Sequence, residues 1–402
     1  MAKKSIVLRG LTALLTFVFS LSIVTGVTLE AYKSTIDTNL GTQSEKFVSE
    51  STEADPLYNK FTPSAEVLNE DGTGNSHALI QKAMNLNRQQ AAEGAVLLKN
   101  ENNALPLASG SKVTLLGIRS HVPLVGSSFG VKAWGGFIDL EQALSQNKTD
   151  FANTITTSVN TNRKTGETTV GRTVSSWSGD EFEFEGAGYE INPTMVSIYE
   201  KLNETYNHAN NESPAEVYDP GEPSLAEIAA VDSSYESSFA KYGDASIVVI
   251  SRPSAESKDY LPGGIAEGLG ADEPLALTTN ERDIIETAKK ASEKVIVLVN
   301  TATAVEIGDL KNDPDIDAIL WIGFPGCYGM VGIADILCGR TSPSGGLPDI
   351  YPTYNMSAPA MQNMGKMYYT NTADVITRSG GLLSFTPGAY TIEAEGLYTG
   401  YR

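Results

Sequence analysis

The run AILWIGFPGCYGMVGIADILCGRTSPSGGLPDIY, residues 318–351, decides the fold class of this 402-residue chain. It opens with an apolar stretch over 318–323, turns at Pro325 and Gly326, continues through small and apolar residues over 329–338, and leaves by a Gly/Pro-rich exit. A short apolar run bounded by a Pro-Gly turn reads as a buried strand, and the small-residue run after it as a closely packed helix. The same alternation extends upstream. A strand is expected over 246–251 (SIVVIS), a helix over 278–292 capped by Thr279 or Asn280, a strand over 295–300 and a short helix over 305–310. Strands that alternate with helices are joined by crossovers, so the expectation is a mostly parallel sheet flanked by helices on both faces, an α/β sandwich.

Further out the pattern is less regular. KVTLLG over 112–117 reads as a short buried strand, and apolar residues spaced three and four apart predict a long amphipathic helix over 77–99. Helices are expected over 193–206 and 224–242. Between them and the first strand, 151–189 is rich in Thr, Ser and Asn and reads as an insertion or a pair of hairpins, with alternation over 180–185. The expected organisation is a membrane or signal segment over 1–30, a polar stalk over 31–76, and the sandwich over 77–402 with an acidic, irregular insertion at about 150–240.

Charge and composition exclude several classes. The chain is 41% apolar, enough for a globular core, and carries 49 acidic against 29 basic residues. Residues 180–240 hold fourteen acids against the single base Lys201. Such a surface repels phosphate backbones, so no nucleic-acid partner is expected. The glycines over 126–136 match neither the dinucleotide nor the P-loop spacing. His77, His121 and His208 are dispersed, and no metal or cofactor is expected. Cys327 and Cys338 flank a helical stretch that holds them on the order of 15 Å apart, beyond the reach of a disulfide; two buried free thiols are expected.

Lys3, Lys4 and Arg9 precede a charge-free apolar run over 11–29, LTALLTFVFSLSIVTGVTL. As a helix it is about 28 Å long, near the hydrocarbon thickness of a bilayer. Basic residues before the span predict a cytoplasmic N-terminus with the bulk of the chain extracytoplasmic. The alternative is secretion after cleavage of a signal peptide, although no clean A-x-A site follows the run.

Residues 91–107, AAEGAVLLKNENNALPL, together with the 318–351 run and the final EAEGLYTGYR, resemble the C-terminal sandwich domain of glycoside hydrolase family 3, the β-glucosidase family. The family's NPSG-type turn stands here as Ser342-Pro343-Ser344-Gly345, and its LP exit as Leu347-Pro348. The resemblance covers roughly 85–402 and implies a hydrolase acting on β-glucosides or related oligosaccharides.

In parallel sheets, functional loops leave the carboxyl ends of strands. The loop after the 246–251 strand carries Glu256, Lys258 and Asp259, which in an arbitrary loop would be solvated charges. Family members carry their general acid/base there, and Glu256 matches it; Asp259 and Glu267 are the alternatives. Lys258 and Tyr260 are candidate substrate contacts. Ala255, Ser257 and Tyr260 depart from the glycines and arginine common in the family.

The resemblance further implies an aspartate nucleophile in a separate TIM barrel, which needs about 250 residues of repeated β/α pattern. No Asp-Trp pair and no such pattern is present. The chain therefore reads as the front part of a member with swapped domain order, whose partner is a barrel domain or chain. The alternative is a non-catalytic carbohydrate-binding or scaffold module, or a truncated relic. Simpler roles are expected elsewhere: Trp321 in the core, Arg88 and Glu93 on a helix surface, Asn100 as a turn or capping group, and Asn300 likewise unless it faces the cleft.

Overall fold

The computed structural model describes residues 2–33, 66, 68–70, 74–126, 137–149, 155–161, 168–174, 182–206, 221–252, 275–363, 367–371, 389–390, 392 and 394. The chain divides into two units, Met1–Ser64 and Ala65–Arg402. The first holds the helix α1 (Ala2–Ala31). Its stretch Arg9–Ala31, 23 residues whose most apolar 18-residue window has a mean hydropathy of 2.0, is long and apolar enough to cross a membrane. The hydroxyls of Thr16, Ser22 and Thr28 donate to the carbonyls of Thr12, Val18 and Val24. Those bonds leave each of the three hydroxyls paired with its own helix backbone.

The second unit begins with α2 (Ser76–Gly94), followed by β1 (Val96–Asn100) and β2 (Lys112–Leu116). Next come α3 (Leu140–Ser145), β3 (Lys148–Thr149), β4 (Ile155–Thr161), β5 (Thr168–Val174), β6 (Phe182–Glu183) and β7 (Glu190–Ile191). Then follow α4 (Pro193–Tyr206), α5 (Leu225–Val231), a 3-10 turn (Tyr235–Lys241), β8 (Ala245–Arg252), α6 (Thr279–Ala291) and β9 (Val295–Thr301). The series closes with α7 (Gly308–Asn312), β10 (Ala318–Trp321), α8 (Met330–Leu337) and shorter elements beyond.

Six strands form one sheet in the order β1-β10-β9-β8-β2-β7. All neighbours are parallel except β1, which pairs antiparallel with β10. The expected α/β sandwich is present, with a mixed sheet. Every residue of β8 and β9 is buried, as continuous β-branched runs in a sheet covered on both faces require. Alternate residues feed two cores. Ile247, Val249, Ile296, Leu298 and Leu320 pack with α2, α3 and α8 on one face. Val248, Ile250, Val297, Val299 and Ile319 pack with α4 to α7 on the other.

Glycine sets how closely α8 approaches α2. A Cβ on Gly332 would lie 2.1 Å from the Arg88 carbonyl oxygen, and one on Gly329 2.8 Å from the Ala91 Cβ. Across the same interface, buried Asp335 accepts from Arg88 Nε at 2.5 Å and Nη2 at 2.7 Å, and from Arg340 Nε at 2.6 Å. Arg340 also donates to the carbonyls of Gly186 and Glu185, tying the segment after β6 to the end of α8. Arg88 is therefore an inter-helix anchor and not the surface residue expected, whereas Glu93 stays exposed and accepts from Gln89.

Several boundaries differ from the sequence expectations. The helix over 77–99 stops at Gly94 because Ala95 is extended and Val96 to Asn100 pair with β10, so the apolar VLL triplet serves a strand. Thr278 caps α6, accepting from the Glu281 amide while the Glu281 carboxylate accepts from Thr278, a capping box that neither Thr279 nor Asn280 can make. The 224–242 helix is broken at 232–234, where Asp232 accepts from the Ser234 amide and hydroxyl and offers the backbone an alternative to helix. The 151–189 region contains the antiparallel pair β4–β5, and its β6 pairs antiparallel with β3, which lies just before it at Lys148–Thr149. Both cysteines are free and half-buried, less enclosed than expected, because Cys327 sits in the turn and Cys338 at the helix end.

Candidate functional site

β2, β8, β9 and β10 run parallel, so their carboxyl ends share one edge of the sheet. Asn300, fully buried near the end of β9, joins three of the exits there. Its Oδ1 accepts from Leu124 N at 2.7 Å, and its Nδ2 donates to Leu124 O at 2.9 Å and Gly323 O at 2.7 Å. Both hydrogen-bonding ends of the amide are engaged in joining loops. Gly117, at φ +92°, lets the β2 exit close on β8: a Cβ there would lie 2.5 Å from the Val249 carbonyl oxygen.

Beside that turn lies a buried acid. Glu222 Oε2 accepts from Ile118 N at 2.8 Å, while Tyr199 Oη accepts from Gly117 N at 2.8 Å and donates to Glu222 Oε1 at 3.4 Å. Burial pushes the Glu222 carboxyl well above the usual carboxylate range, the Ile118 amide offsets part of this, and nearby Glu281 adds to the rise. Burial likewise raises the Tyr199 hydroxyl. A second titratable group collects around Glu200. Burial lifts Asp139, the cap of α3, to about 7 and raises Glu141, while it lowers His121. Among the described residues no three His, Cys, Asp or Glu side chains are arranged to hold a metal ion.

The end of β8 is the best-anchored point of the edge. Arg252, with 0% of its surface exposed, makes a forked ion pair with Glu281, Nη1 to Oε1 at 2.7 Å and Nη2 to Oε2 at 3.0 Å. Among the described residues, two buried polar atoms have no hydrogen-bond partner here, Ser251 Oγ on β8 and Asn355 Nδ2. The Asn355 backbone is held by Glu306 Oε1, at 2.6 Å, in the exit from β9. Uncompensated buried polar atoms are uncommon in folded proteins, and these two lie at the edge where strand exits converge.

Comparison with known proteins places this architecture. The model of the glycosyl hydrolase family 3 C-terminal domain matches residues 95–401. The chain belongs to this family. Among its relatives, β-glucosidase A of Butyrivibrio fibrisolvens is 26% identical over 307 residues, which is 73% of this chain and 31% of the relative. An exo-1,4-β-xylosidase of Aspergillus niger is 25% identical over 329 residues, 77% of this chain and 32% of the relative. The chain thus spans about a third of the length of these two enzymes. A β-glucosidase sequence of Schizophyllum commune is 30% identical over 172 residues, 42% of this chain and 84% of its own. Of solved structures, β-glucosidase 3B of Thermotoga neapolitana in complex with glucose overlaps 72% of this chain and 34% of its own, at 22% identity and a TM-score of 0.47.

On this family 3 domain, the site residues expected from sequence, Glu256, Lys258, Asp259 and Tyr260 with the alternative Glu267, lie outside the described residues. The structure fixes where their segment starts and returns, at Arg252 and Leu275. Trp321 lies half-buried against the second core beside Tyr351, whose hydroxyl burial pushes up to about 12. Asn100 closes the turn after β1, donating to Leu105 O and accepting from Leu105 N. Sequence reasoning passed over Arg252, Glu281, Glu222 and Asp335. A cation closing the apolar run SIVVISR and an acid inside GMVGIADIL were the available signals for Arg252 and Asp335, because a charge embedded in a buried run needs a partner.

Proposed function

We propose that this family 3 domain is the acid/base-bearing component of a retaining β-glycosidase acting on β-glucosides or related oligosaccharides, held at a membrane by α1. The family match over 95–401 carries the reading, supported by a carboxylate-rich segment, 253–274, whose flanking residues stand at the carboxyl edge of the sheet. Glu256 is the proton donor. In the first step it protonates the leaving glycosidic oxygen as the nucleophile attacks the anomeric carbon. In the second it takes a proton from the water that releases the sugar. The two carboxyl groups of such a pair stand about 5 to 5.5 Å apart, so the nucleophile's domain must close over this edge. That nucleophile comes from a barrel outside residues 1–402, consistent with the chain's matching about a third of its enzyme relatives.

The test is hydrolysis of aryl β-glucosides and β-xylosides by the full chain in detergent micelles, alongside Glu256→Gln. No turnover from either protein is expected, with activity appearing when a family barrel domain is added to the wild type and not to the variant. Equal activity of variant and wild type in the combined assay would remove Glu256 from its role.

A further inference from the structure

Arg252 does more than end a strand. Besides its forked pair with Glu281, Nη1 donates to Ser251 O at 2.5 Å and Nη2 donates to Ala276 O. One guanidinium thus grips the last residues before segment 253–274 and a carbonyl just after it. Its partner is equally fixed. Glu281 Oε2 accepts from Thr278 N at 2.8 Å, and Glu281 N donates to Thr278 Oγ1 at 3.1 Å, so the capping box of α6 and the clamp share one carboxylate. Behind it, the Asn280 side chain donates to Glu222 O at 2.9 Å, extending the frame to the β2 exit.

A fully buried ion pair adds little stability over well-packed apolar side chains of similar volume. The arginine fork, however, sets distance and angle together, which neither a lysine nor an aliphatic side chain can do. In β8 itself, Val248, Val249 and Ile250 show that apolar residues fill this depth of the core. An invested cation at the last position therefore points to a geometric role, where small displacements cost rate steeply.

We propose that Arg252, held by Glu281, is a positioning residue that fixes both ends of segment 253–274 and so sets where Glu256 meets the leaving group. The proposal rests on Glu256 being the proton donor, and its test separates the two. Arg252→Lys, Arg252→Met, Glu281→Gln and Glu256→Gln are compared in the full chain, with a family barrel domain present, on phenyl and 2,4-dinitrophenyl β-glucosides. The dinitrophenolate leaves without protonation, so loss of a positioned acid slows the phenyl substrate selectively. Both Arg252→Lys and Glu281→Gln are expected to lose at least tenfold more kcat/KM on the phenyl than on the dinitrophenyl substrate, as Glu256→Gln does.

Hydrogen exchange on the chain alone gives a readout that needs no turnover. In Arg252→Lys and Glu281→Gln, peptides spanning 253–278 are expected to exchange at least tenfold faster, while those of β8 and β9 keep their protection. Arg252→Met extends the comparison if it folds. Equal losses on both substrates, or unchanged exchange over 253–278 in the folded variants, would overturn the role of Arg252. Selective loss in the Arg252 and Glu281 variants without selective loss in Glu256→Gln would instead move the proton donor to another residue of the segment.

Discussion

Replacing Asp335 by alanine tests the packing logic of the α2–α8 interface without reference to catalysis. The carboxylate is 5% exposed and pairs with two guanidinium groups that are each 26% exposed. Removing it leaves two arginines facing one another with their shared counter-charge gone. Deleting one partner of a buried pair costs about 3–5 kcal/mol, because the remaining charge stays desolvated. Partial exposure of both arginines lets them turn toward water, which places the expected loss at the lower end, about 3 kcal/mol. The cost divides into lost charge-assisted hydrogen bonds, about 1.5–3 kcal/mol each before relaxation, and the repulsion left behind. Thermal and urea unfolding of the full chain in micelles, followed by tryptophan fluorescence, give the readout, with Tm expected to fall by roughly 6–9 °C at about 2–3 °C per kcal/mol for a domain of this size. A companion variant, Arg88→Met/Asp335→Leu/Arg340→Met, is expected to recover most of the loss, since apolar replacement of a whole buried ion cluster is often neutral. An Asp335→Ala protein within about 0.5 kcal/mol of wild type would refute the reasoning, as would a triple variant less stable than the single one.

Gly332→Ala sets a Cβ 2.1 Å from the Arg88 carbonyl oxygen and 3.0 Å from the Ala92 amide nitrogen, so α8 must back away from α2 by about an ångström; a loss of about 2–3 kcal/mol is expected in the same unfolding experiment. Asp139 gives a pH signature. Its folded-state pKa is raised from 3.8 to about 7, so the folded protein holds the proton more tightly than the unfolded chain, and the group's contribution to stability declines as pH rises from about 4 to about 7. Asp139→Asn removes that decline, and the variant's Tm relative to wild type is expected to climb across this window and level off above about pH 8.

Much of the fold was legible because a parallel sheet covered on both faces writes itself as unbroken apolar runs. SIVVIS and VIVLVN are such runs, and each lies within a fully buried strand. The helix over 193–206 matched residue for residue. The reading failed where one pattern served two structures. The apolar triplet at 96–98 fits the face of a lengthening helix as well as an edge strand, and only the partner β10, more than two hundred residues away, decides between them. The helix caps were recoverable in principle: Thr278 with Glu281 satisfies the capping-box spacing, and its neighbours do not. The acid/base assignment in the loop after β8 rests on resemblance alone, since a glutamate in a polar loop carries no physical mark of catalysis and Glu256 lies outside the described residues. The clamp behind it was not foreseen, because Arg252 and Glu281 lie on different elements and become partners only when β8 and α6 pack.

The two margins of the sheet carry a consequence for molecules crowded together, as membrane tethering would crowd them. On one side β7 pairs over only two residues. On the other, β1 bulges between Leu97 and Lys99, the Lys99 ammonium turns inward to the Asp313 carbonyl, and Asn100 folds back onto Leu105. Neither margin offers a straight row of backbone donors and acceptors that a neighbouring copy could extend into a continuous ribbon. At these two margins of the main sheet, high local concentration on a surface therefore raises the frequency of encounters without giving them a template for irreversible strand-by-strand assembly.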